Sequence, residues 1–577
     1  MTGPGRRVLA ALGLVAGTVV LSIAAAAPAS AHATVVGTDP SDASRLPAAP
    51  TAVTVTFSES VGLGTGYLKV VDGNGDTVST GAPTHPGGDG TKVSVALRPG
   101  LGDGSYVASY RIVSTDSHPI GGAFSFVVGD GPLVAASGVP VGGTTDQVVE
   151  TTFTIARWIS FAGMVLFGGL AFVVLCWPAG RTSRRARRLI WTGWAGAVAG
   201  AILGLLLEGP YAAGTGLSDA VDVSLLQATL GTTYGRMLCA RLVLLGALAF
   251  LAARLLRAEE EQPERARARD EDLAAISGLG VLATYGGVGH AAAGSQPTLA
   301  LLSDTSHLAA ASLWIGGLAV MLVALLPTRR ADDLAQALPR FSRIAMGSVA
   351  VLVVTGTYQA WREVWPLPAL WSTGYGRLLL LKIAGFVLLL ALGNLSRVAV
   401  RRRYAVPVAH ALSMAGTGSL DSEEVERVEL DRMVGRLRRS VFLEVAVAAA
   451  VLAVTAVLVS TAPGRGTYAD PFSSTAQLAS GGSARISVDP ARTGENTVEI
   501  TLLDRSGKPV DAQNVSLTAA LPAQQIGPLQ VALTRAGTGV YRAPGASFAG
   551  PGRWELVLRV QTSEFDRDVT QVDVPVT

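Results

Sequence analysis

The sequence predicts a multi-domain membrane protein, with a β-domain at each end and a helical bundle between them. Three observations predict this fold class. Of the 577 residues, 49% are apolar and only 15% are charged, a balance typical of membrane proteins. Long apolar runs fill the middle of the chain, and short alternating apolar–polar stretches fill both ends. The chain has only two cysteines, both in apolar runs, so a disulfide framework is excluded.

The N-terminus has the three parts of a secretory signal peptide, which we assign to residues 1–31. Arg6 and Arg7 precede an apolar run that ends in the small residues up to Ala31. Cleavage after Ala31 leaves His32 as the first residue of the mature protein. A terminal histidine offers a metal ion both its α-amine and its imidazole, and both groups lose their protons near neutral pH. Alternatively, His32 is simply the residue that follows the cleavage site.

Residues 32–130 are predicted to form a small β-sandwich or barrel that is exported. Val53, Val55 and Phe57 alternate with threonines, and about seven such strands follow one another, separated by glycine and proline. Residues 131–150, rich in Gly, Val, Pro and Thr, are predicted to be a linker.

A candidate metal site lies in this first β-domain. Asp116 and His118 are two residues apart, so in an extended segment their side chains share a face about 7 Å apart. With His32 they offer two imidazoles, an amine and a carboxylate, which are donors that suit Cu(II). The alternative is that Asp116 is an ordinary turn residue and that His118 is restricted only by the proline that follows it.

Eight apolar runs of membrane-spanning length predict a helical bundle over residues 151–462. The runs cover 153–177, 189–208, 238–256, 273–292, 305–326, 342–361, 377–396 and 441–461. Arginine-rich connections alternate with connections that carry almost no Arg or Lys. By the positive-inside rule, the even number of spans places both ends of the mature chain outside the cytoplasm.

Two matched motifs predict that the bundle is a parallel repeat of four plus four helices. Phe167-Gly168-Gly169-Leu170 resembles Ile315-Gly316-Gly317-Leu318, and Tyr234-Gly235-Arg236 resembles Tyr375-Gly376-Arg377. Ionisable residues in the spans gather in the predicted outer third, and such residues mark functional sites in membranes. They are Glu208, Arg241, His290, Asp304, His307 and Lys382.

Residues 463–577 return to period-two alternation and are predicted to form a second exported β-sandwich. This segment contains no His, Cys or Met, which argues against a soft-metal site. We expect it to be a docking or stabilising module.

The first β-domain resembles the periplasmic copper-resistance protein CopC. The resemblance lies in His32, Asp39-Pro40, Phe57-Ser58-Glu59 and the run Tyr110–Gly122 that contains Ser114-Thr115-Asp116-Ser117-His118-Pro119. It implies a cupredoxin-like β-barrel that binds Cu(II) through His32, Asp116 and His118, with Glu59 close by. Some relatives have a Cu(I) site in a Met- and His-rich loop. The corresponding loop here has only His85 and no methionine.

The helical bundle resembles the partner protein CopD. The resemblance lies in Gly289-His290-Ala291, the run His307–Gly317, Phe341-Ser342-Arg343, Thr355-Gly356 and Tyr375-Gly376-Arg377. It implies copper movement across the cytoplasmic membrane, generally uptake. The chain therefore resembles a CopC–CopD fusion.

We therefore expect a copper-binding transport protein rather than an enzyme, with copper passing near His290, His307 and Asp304. Alternatives are that these histidines only bond neighbouring backbone, that His290 and His307 ligate haem in a redox protein, or that the terminal histidine holds the copper of an oxidase. Expected partners are copper ion, the bilayer, and a copper chaperone or reductase, with no nucleic acid. The sequence contains neither a P-type ATPase motif nor a Walker motif.

Overall fold

The computed structural model describes residues 35–42, 44–57, 60–114, 119–131, 146–257, 263–288, 296–404, 421–468, 470–524, 526–548, 550, 552–562 and 567–576. These residues divide into a helical unit and a unit that holds the strands.

The N-terminal domain is a sandwich of two four-stranded sheets, with strand orders β1-β3-β6-β5 and β2-β8-β7-β4. Burial alternates along β3, so Val53, Val55 and Phe57 enter the core while the threonines between them face outward. The opposite sheet contributes Ile112 and Phe126, both fully buried. The predicted β-domain is confirmed. Its strands are β1 (Val35–Asp39), β2 (Ser44–Leu46), β3 (Ala52–Phe57), β4 (Val61–Asp72), β5 (Ser79–Thr84), β6 (Lys92–Leu97), β7 (Gly104–Ser114) and β8 (Pro119–Val128).

The helical unit follows. Its helices are α1 (Gln147–Phe167), α2 (Gly169–Leu175), α3 (Arg184–Ala213), α4 (Val223–Gly231), α5 (Thr233–Leu255), α6 (Glu264–Gly286), α7 (Pro297–Val320), α8 (Ala331–Glu363), α9 (Ala369–Ser372), α10 (Gly374–Tyr404), α11 (Asp421–Val459) and α12 (Gly464–Thr467). The first helix begins inside the predicted linker because the side chain of Asp146 accepts a hydrogen bond from the Val148 amide and caps it.

Seven helical segments among the described residues are long and apolar enough to cross a membrane. They are Gln147–Leu175, Arg184–Ala213, Thr233–Leu255, Pro297–Thr328, Ala331–Glu363, Gly374–Leu395 and Asp431–Val459. These segments overlap seven of the eight predicted spans. The remaining prediction, 273–292, falls on α6, whose first turns are charged. Its described apolar part runs only from Leu273 to Gly286, short of the about 20 residues that cross a bilayer.

Although α6 is not among those seven segments, it pairs with α5 along its length. Near one end of the pair, Arg254 Nε donates to Asp270 Oδ2 at 2.6 Å. Near the other end, Arg241 Nε donates to Thr284 Oγ1 at 2.9 Å. Because the later residue of α5 meets the earlier residue of α6, the two helices are antiparallel and cover the same depth.

The matched motifs of the two halves have the same local structure. Thr232 and Thr373 precede α5 and α10, and each hydroxyl accepts a hydrogen bond from the amide three residues on, at 3.1 and 3.0 Å. A Cβ on Gly235 or on Gly376 would collide with a carbonyl oxygen of the short helix before it. Both positions therefore require glycine, and the two helices open in the same way.

The other matched motif forms a close contact between the halves. A Cβ on Gly168 would lie 2.7 Å from the Ser312 carbonyl oxygen, and one on Gly316 would collide with the Val165 carbonyl oxygen. The first helix of each half therefore meets the other through glycine, as in many close helix contacts in membranes.

The two ends of the helical unit's chain lie at the same end of the bundle. Arg157, in the middle of α1, donates a hydrogen bond to the hydroxyl of Ser460, the residue that directly follows α11.

The C-terminal strands form two sheets, with orders β14-β15-β11-β10-β9 and β13-β12-β16-β17. Their shared core includes Trp554, which is fully buried and donates to the Gly550 carbonyl oxygen at 2.9 Å. The strands are β9 (Phe472–Gln477), β10 (Ser483–Asp489), β11 (Gly494–Leu503), β12 (Asn514–Leu521), β13 (Ile526–Val531), β14 (Thr534–Gly537), β15 (Val540–Phe548), β16 (Gly552–Gln561) and β17 (Arg567–Val576).

Candidate functional site

Two of the predicted site residues, Asp304 and His307, lie within the described part of the chain. They stand three residues apart on α7, so they share one face of that helix. The other predicted residues, His32, Glu59, Asp116, His118 and His290, lie outside the described residues.

The ring of His307 is held by a threonine on the neighbouring helix. Its Nδ1 lies 2.8 Å from Thr355 Oγ1 on α8, and the Thr355 hydroxyl donates its one proton to the Val351 carbonyl oxygen at 2.7 Å. The hydroxyl must therefore accept from His307, so Nδ1 carries the ring proton. This leaves the lone pair on Nε2, the form of a neutral histidine that binds metal ions.

A glycine allows this ring to lie against α8. A Cβ at Gly356 would lie 3.5 Å from His307 Cε1, so the ring rests almost on the backbone. Thr355 itself is fully buried. The tautomer of His307 is thus set by a buried hydroxyl rather than by a surface side chain.

Asp304 is oriented by an amide from the same helix, α8. Gln359 Nε2 donates to Asp304 Oδ1 at 2.8 Å, one helical turn after Thr355. On its other side Asp304 faces the end of α6, where a Cβ on Gly286 would lie 3.8 Å from Oδ2. One carboxylate oxygen is therefore bound by an amide, and the other lies close to the glycine at the end of α6.

Positive side chains surround this carboxylate. Arg362 on α8 and Lys382 on α10 both exert their charge on Asp304, and Lys382 also acts on His307. A cation placed between Asp304 and His307 would be attracted by one acidic group and repelled by Arg362 and Lys382.

The described residues supply two ligands at this place, a carboxylate and an imidazole. No group of three or more His, Cys, Asp or Glu side chains that could hold a metal occurs among them. Thr355 and Gln359, which orient the two ligands, were not singled out as site residues from the sequence. Their sequence signal is a hydroxyl and an amide four residues apart on α8, a spacing that puts both on one face of the helix.

In the N-terminal domain, several strand ends converge at what we call the converging end. Val35, which begins β1, pairs with Phe57, which ends β3. Val61, which begins β4, pairs with Ser114, which ends β7. The Phe57 and Val61 amides donate to the adjacent carbonyl oxygens of Thr91 and Gly90, at 2.8 and 2.9 Å, so the two sheets meet here.

The converging end is where the chain enters and leaves the predicted copper-ligand segments. His32 precedes Val35, Glu59 lies between β3 and β4, and Asp116 and His118 lie between β7 and β8. The nearby loop residue His85 is half-buried, and its Nδ1 lies 2.7 Å from the Lys92 carbonyl oxygen.

Four family models match the chain, and together they cover most of it. They are the CopC domain at residues 35–129, the copper resistance protein D-like N-terminal domain at 148–298, copper resistance protein D at 335–458, and FixH at 464–574.

Individual proteins are also similar in sequence to this chain. Copper transport protein CutJ of Bacillus subtilis (strain 168) is 27% identical over 554 residues, which cover 93% of this chain and 94% of that protein. Protein YobA of Escherichia coli (strain K12) is 30% identical over 98 residues, covering 17% of this chain and 79% of its own length.

Among the solved structures similar to part of this chain are two copper resistance proteins. CopC from Methylosinus trichosporium OB3b has 26% identity and a TM-score of 0.16, covering 17% of this chain and 95% of its own. PcoC, a methionine-rich copper resistance protein from Escherichia coli, has 27% identity and a TM-score of 0.15, covering 17% and 99%.

A CopC-matched β-sandwich followed by a helical region with seven candidate spans defines a multi-pass membrane protein with a copper-related role. The chain joins CopC and CopD domains in one polypeptide and is a CopC–CopD fusion. The matches give no support to the haem alternative.

Proposed function

We propose that this protein binds copper in its N-terminal domain and moves it through the helical bundle into the cytoplasm. It acts as a transporter rather than an enzyme, and copper is its cargo. The CopC and CopD matches and the similarity to the copper transport protein CutJ over 93% of the chain support this proposal. Any reduction to Cu(I) before transfer requires a reductase, and delivery on either side can involve a copper chaperone.

The single observation that carries the transport path is the geometry of His307. Its Nδ1–H group donates a hydrogen bond to Thr355 Oγ1, so the lone pair on Nε2 is available to bind a metal ion. Asp304 lies one turn away on the same helix. His290 follows α6, whose last residue, Gly286, packs against Asp304. We propose His307, Asp304 and His290 as successive or joint ligands for copper.

In the N-terminal domain we propose a Cu(II) site made by His32 and by Asp116 and His118, with Glu59 nearby. The converging end supports this, since the described strand ends that lead into all three segments lie together. Because the α-amine of His32 is one of the ligands, signal-peptide cleavage after Ala31 creates the complete donor set.

We further propose eight membrane crossings, with both β-domains outside the cytoplasm. The hydrogen bond from Arg157 of α1 to Ser460, which follows α11, supports an even number of crossings. The pairing of α6 with α5 along its length supports α6 as the remaining crossing. The C-terminal sandwich then lies on the same side as the copper-binding domain, where it can dock partners or stabilise the fusion.

The test for transport is copper accumulation in cells that lack their own uptake system and express the full chain. We expect His307→Ala to reduce accumulation to the level of cells without the protein. The matched control is Ser306→Ala, whose hydroxyl donates only to the Leu302 carbonyl oxygen of its own helix. Wild-type accumulation by His307→Ala, at equal expression, would disprove the proposed path.

The proposed Cu(II) site of the N-terminal domain is tested separately, by inserting an alanine between Ala31 and His32 in the full chain. Cleavage then leaves the histidine ring in place and moves the α-amine to the added residue. We expect weaker Cu(II) binding by the purified protein. Equal Cu(II) affinity, with the new N-terminus verified by mass spectrometry, would remove the amine from the site.

A further inference from the structure

Glu208 is a buried carboxylate that the proposed copper path does not use. It lies near the end of α3 with 4% of its side chain exposed. Its Oε2 atom is buried and has no hydrogen-bond partner in the described part of the chain. A charged carboxylate oxygen in that state is costly inside a membrane protein, so this atom requires a positive partner or a proton.

The residues around Glu208 are aromatic and cationic. The guanidinium of Arg157, on α1, is the opposite charge that acts on Glu208, but it also lies over the Phe153 ring at 4.2 Å and donates to Ser460. Tyr234 lies on another side, with its hydroxyl 3.1 Å from where a Cβ of Gly204 would stand, one turn before Glu208. Arg157 is therefore shared among several partners and leaves Oε2 open.

Charged and titratable groups lie on every element packed around this end of α3. They are Glu150 and Arg157 on α1, Asp219 and Asp222 before α4, and Tyr234, Arg236 and Arg241 on α5. Glu150 and Asp222 are exposed, and Asp222 is occupied in capping α4. Arg241 is committed to Thr284 and lies over the Tyr285 ring at 3.5 Å. Arg157 and Tyr234 are thus the groups that face Glu208 most directly.

These surroundings favour a proton over a metal ion at Oε2. A metal ion needs several lone-pair donors, and no cluster of three or more His, Cys, Asp or Glu occurs in the described ranges. Arg157 would repel the positive charge of a metal ion beside it. A proton needs only one lone pair and makes the Glu208 carboxyl group neutral.

We propose that Glu208 is a proton-binding site in the first half of the bundle and that its protonation accompanies copper transport. The carboxylate takes one proton at Oε2 from a hydronium ion at the end of the membrane where α3 ends. This leaves water and a neutral carboxylic acid, which later returns the proton to water. The coupling rests on the proposed transport function, whereas proton binding itself does not.

Proton binding is tested without copper, by infrared difference spectroscopy of the full chain in lipid as pH is changed. We expect the wild type to show a carbonyl band of a protonated carboxylic acid that is lost in Glu208→Gln. The matched control, Glu150→Gln, changes an exposed carboxylate at the start of α1 and should keep the band. A wild-type band in Glu208→Gln would overturn the proposal.

Coupling is tested in vesicles that contain the full chain and a pH-sensitive dye. We expect copper entry through the wild type to change internal pH, and Glu208→Gln to move copper while the pH change falls to that of protein-free vesicles. An unchanged pH response in Glu208→Gln, with its fold verified by circular dichroism, would overturn the coupling. Absence of copper entry in the wild type would instead reject the proposed transport function, and the infrared result would still decide proton binding.

Discussion

Both halves of the helical bundle contain the same hydrogen-bond arrangement, but it has a different role in each half. In each half a buried threonine gives its proton to a carbonyl of its own helix and accepts a hydrogen bond from a basic side chain. In the first half Thr284 donates to Val281 and accepts from Arg241. In the second half Thr355 donates to Val351 and accepts from His307.

The two arrangements differ in whether the basic side chain keeps a lone pair that could bind a metal ion. Arg241 also donates to the Thr284 carbonyl oxygen at 3.0 Å and stacks on Tyr285, and an arginine has no lone pair for a metal. His307 keeps a free lone pair on Nε2 and has a carboxylate beside it. The same hydrogen-bond arrangement is therefore a closed structural contact in the first half and holds an open candidate ligand pair in the second.

The largest expected effect is at the glycine contact that joins the halves. Gly316→Val would place side-chain atoms against the backbone of α1, which cannot move aside, so we expect loss of folded protein in the membrane. Gly246→Val on α5 is the matched control, because a Cβ there meets nothing within 4 Å. Folded protein is measured by fluorescence-detected size-exclusion chromatography. A monodisperse Gly316→Val peak of wild-type height would contradict the close contact.

The two buried threonines should separate stability from copper handling. Thr355→Val removes the acceptor of the His307 proton, and we expect copper affinity to fall by about 10–100-fold, as for other groups that orient a metal ligand. Thr284→Val leaves a buried arginine donor without its partner, and we expect it to lower the free energy of unfolding by about 1–3 kcal/mol with copper affinity unchanged. Copper titration and denaturation of each purified variant are the measurements.

A matched control exists on the same helix for the first of these variants. Thr357 also donates to a carbonyl one turn back, at 2.8 Å to Val353, but it is exposed and away from His307. Thr357→Val should therefore bind copper like the wild type. Equal copper affinities of the Thr355 and Thr357 variants would show that the His307 tautomer does not matter.

A smaller difference is expected at the matched positions Arg241 and Lys382. Arg241→Lys loses the planar fork that binds both Thr284 oxygens, and we expect it to cost about 1–2 kcal/mol of stability. Lys382→Met removes a positive charge that opposes a cation beside Asp304 and His307. We expect it to raise copper affinity about five-fold, which corresponds to about 1 kcal/mol of relieved repulsion. A fall in copper affinity in Lys382→Met would mean that the lysine orients Asp304 instead.

Much of this organisation could be predicted from the sequence, because hydropathy and strand alternation are local properties. The seven candidate spans and both β-domains follow from them, and so do the matched glycine motifs at Gly168 and Gly316. The fourth predicted span, 273–292, is not among these seven, since the described apolar part of α6 is short, although α6 pairs with α5 along its length. The roles of Thr355 and Gln359 depend on the register of α8 against α7, which no local pattern encodes.

The smallest effect concerns the caps at the openings of α5 and α10. Thr232→Val and Thr373→Val each remove one hydroxyl that accepts a backbone amide, so each should cost about 1 kcal/mol of stability. Because the two openings have the same geometry, we expect the two losses to be equal within the error of denaturation measurements. A much larger loss for Thr373→Val would show that its opening is stabilised by more than the cap. The chain offers one source, since a Cβ on Gly464 would lie 3.0 Å from Thr373 Oγ1. Both valine variants can then be measured again in a Gly464→Ala background. If Gly464 contributes to the opening of α10, only the stability loss of Thr373→Val should change.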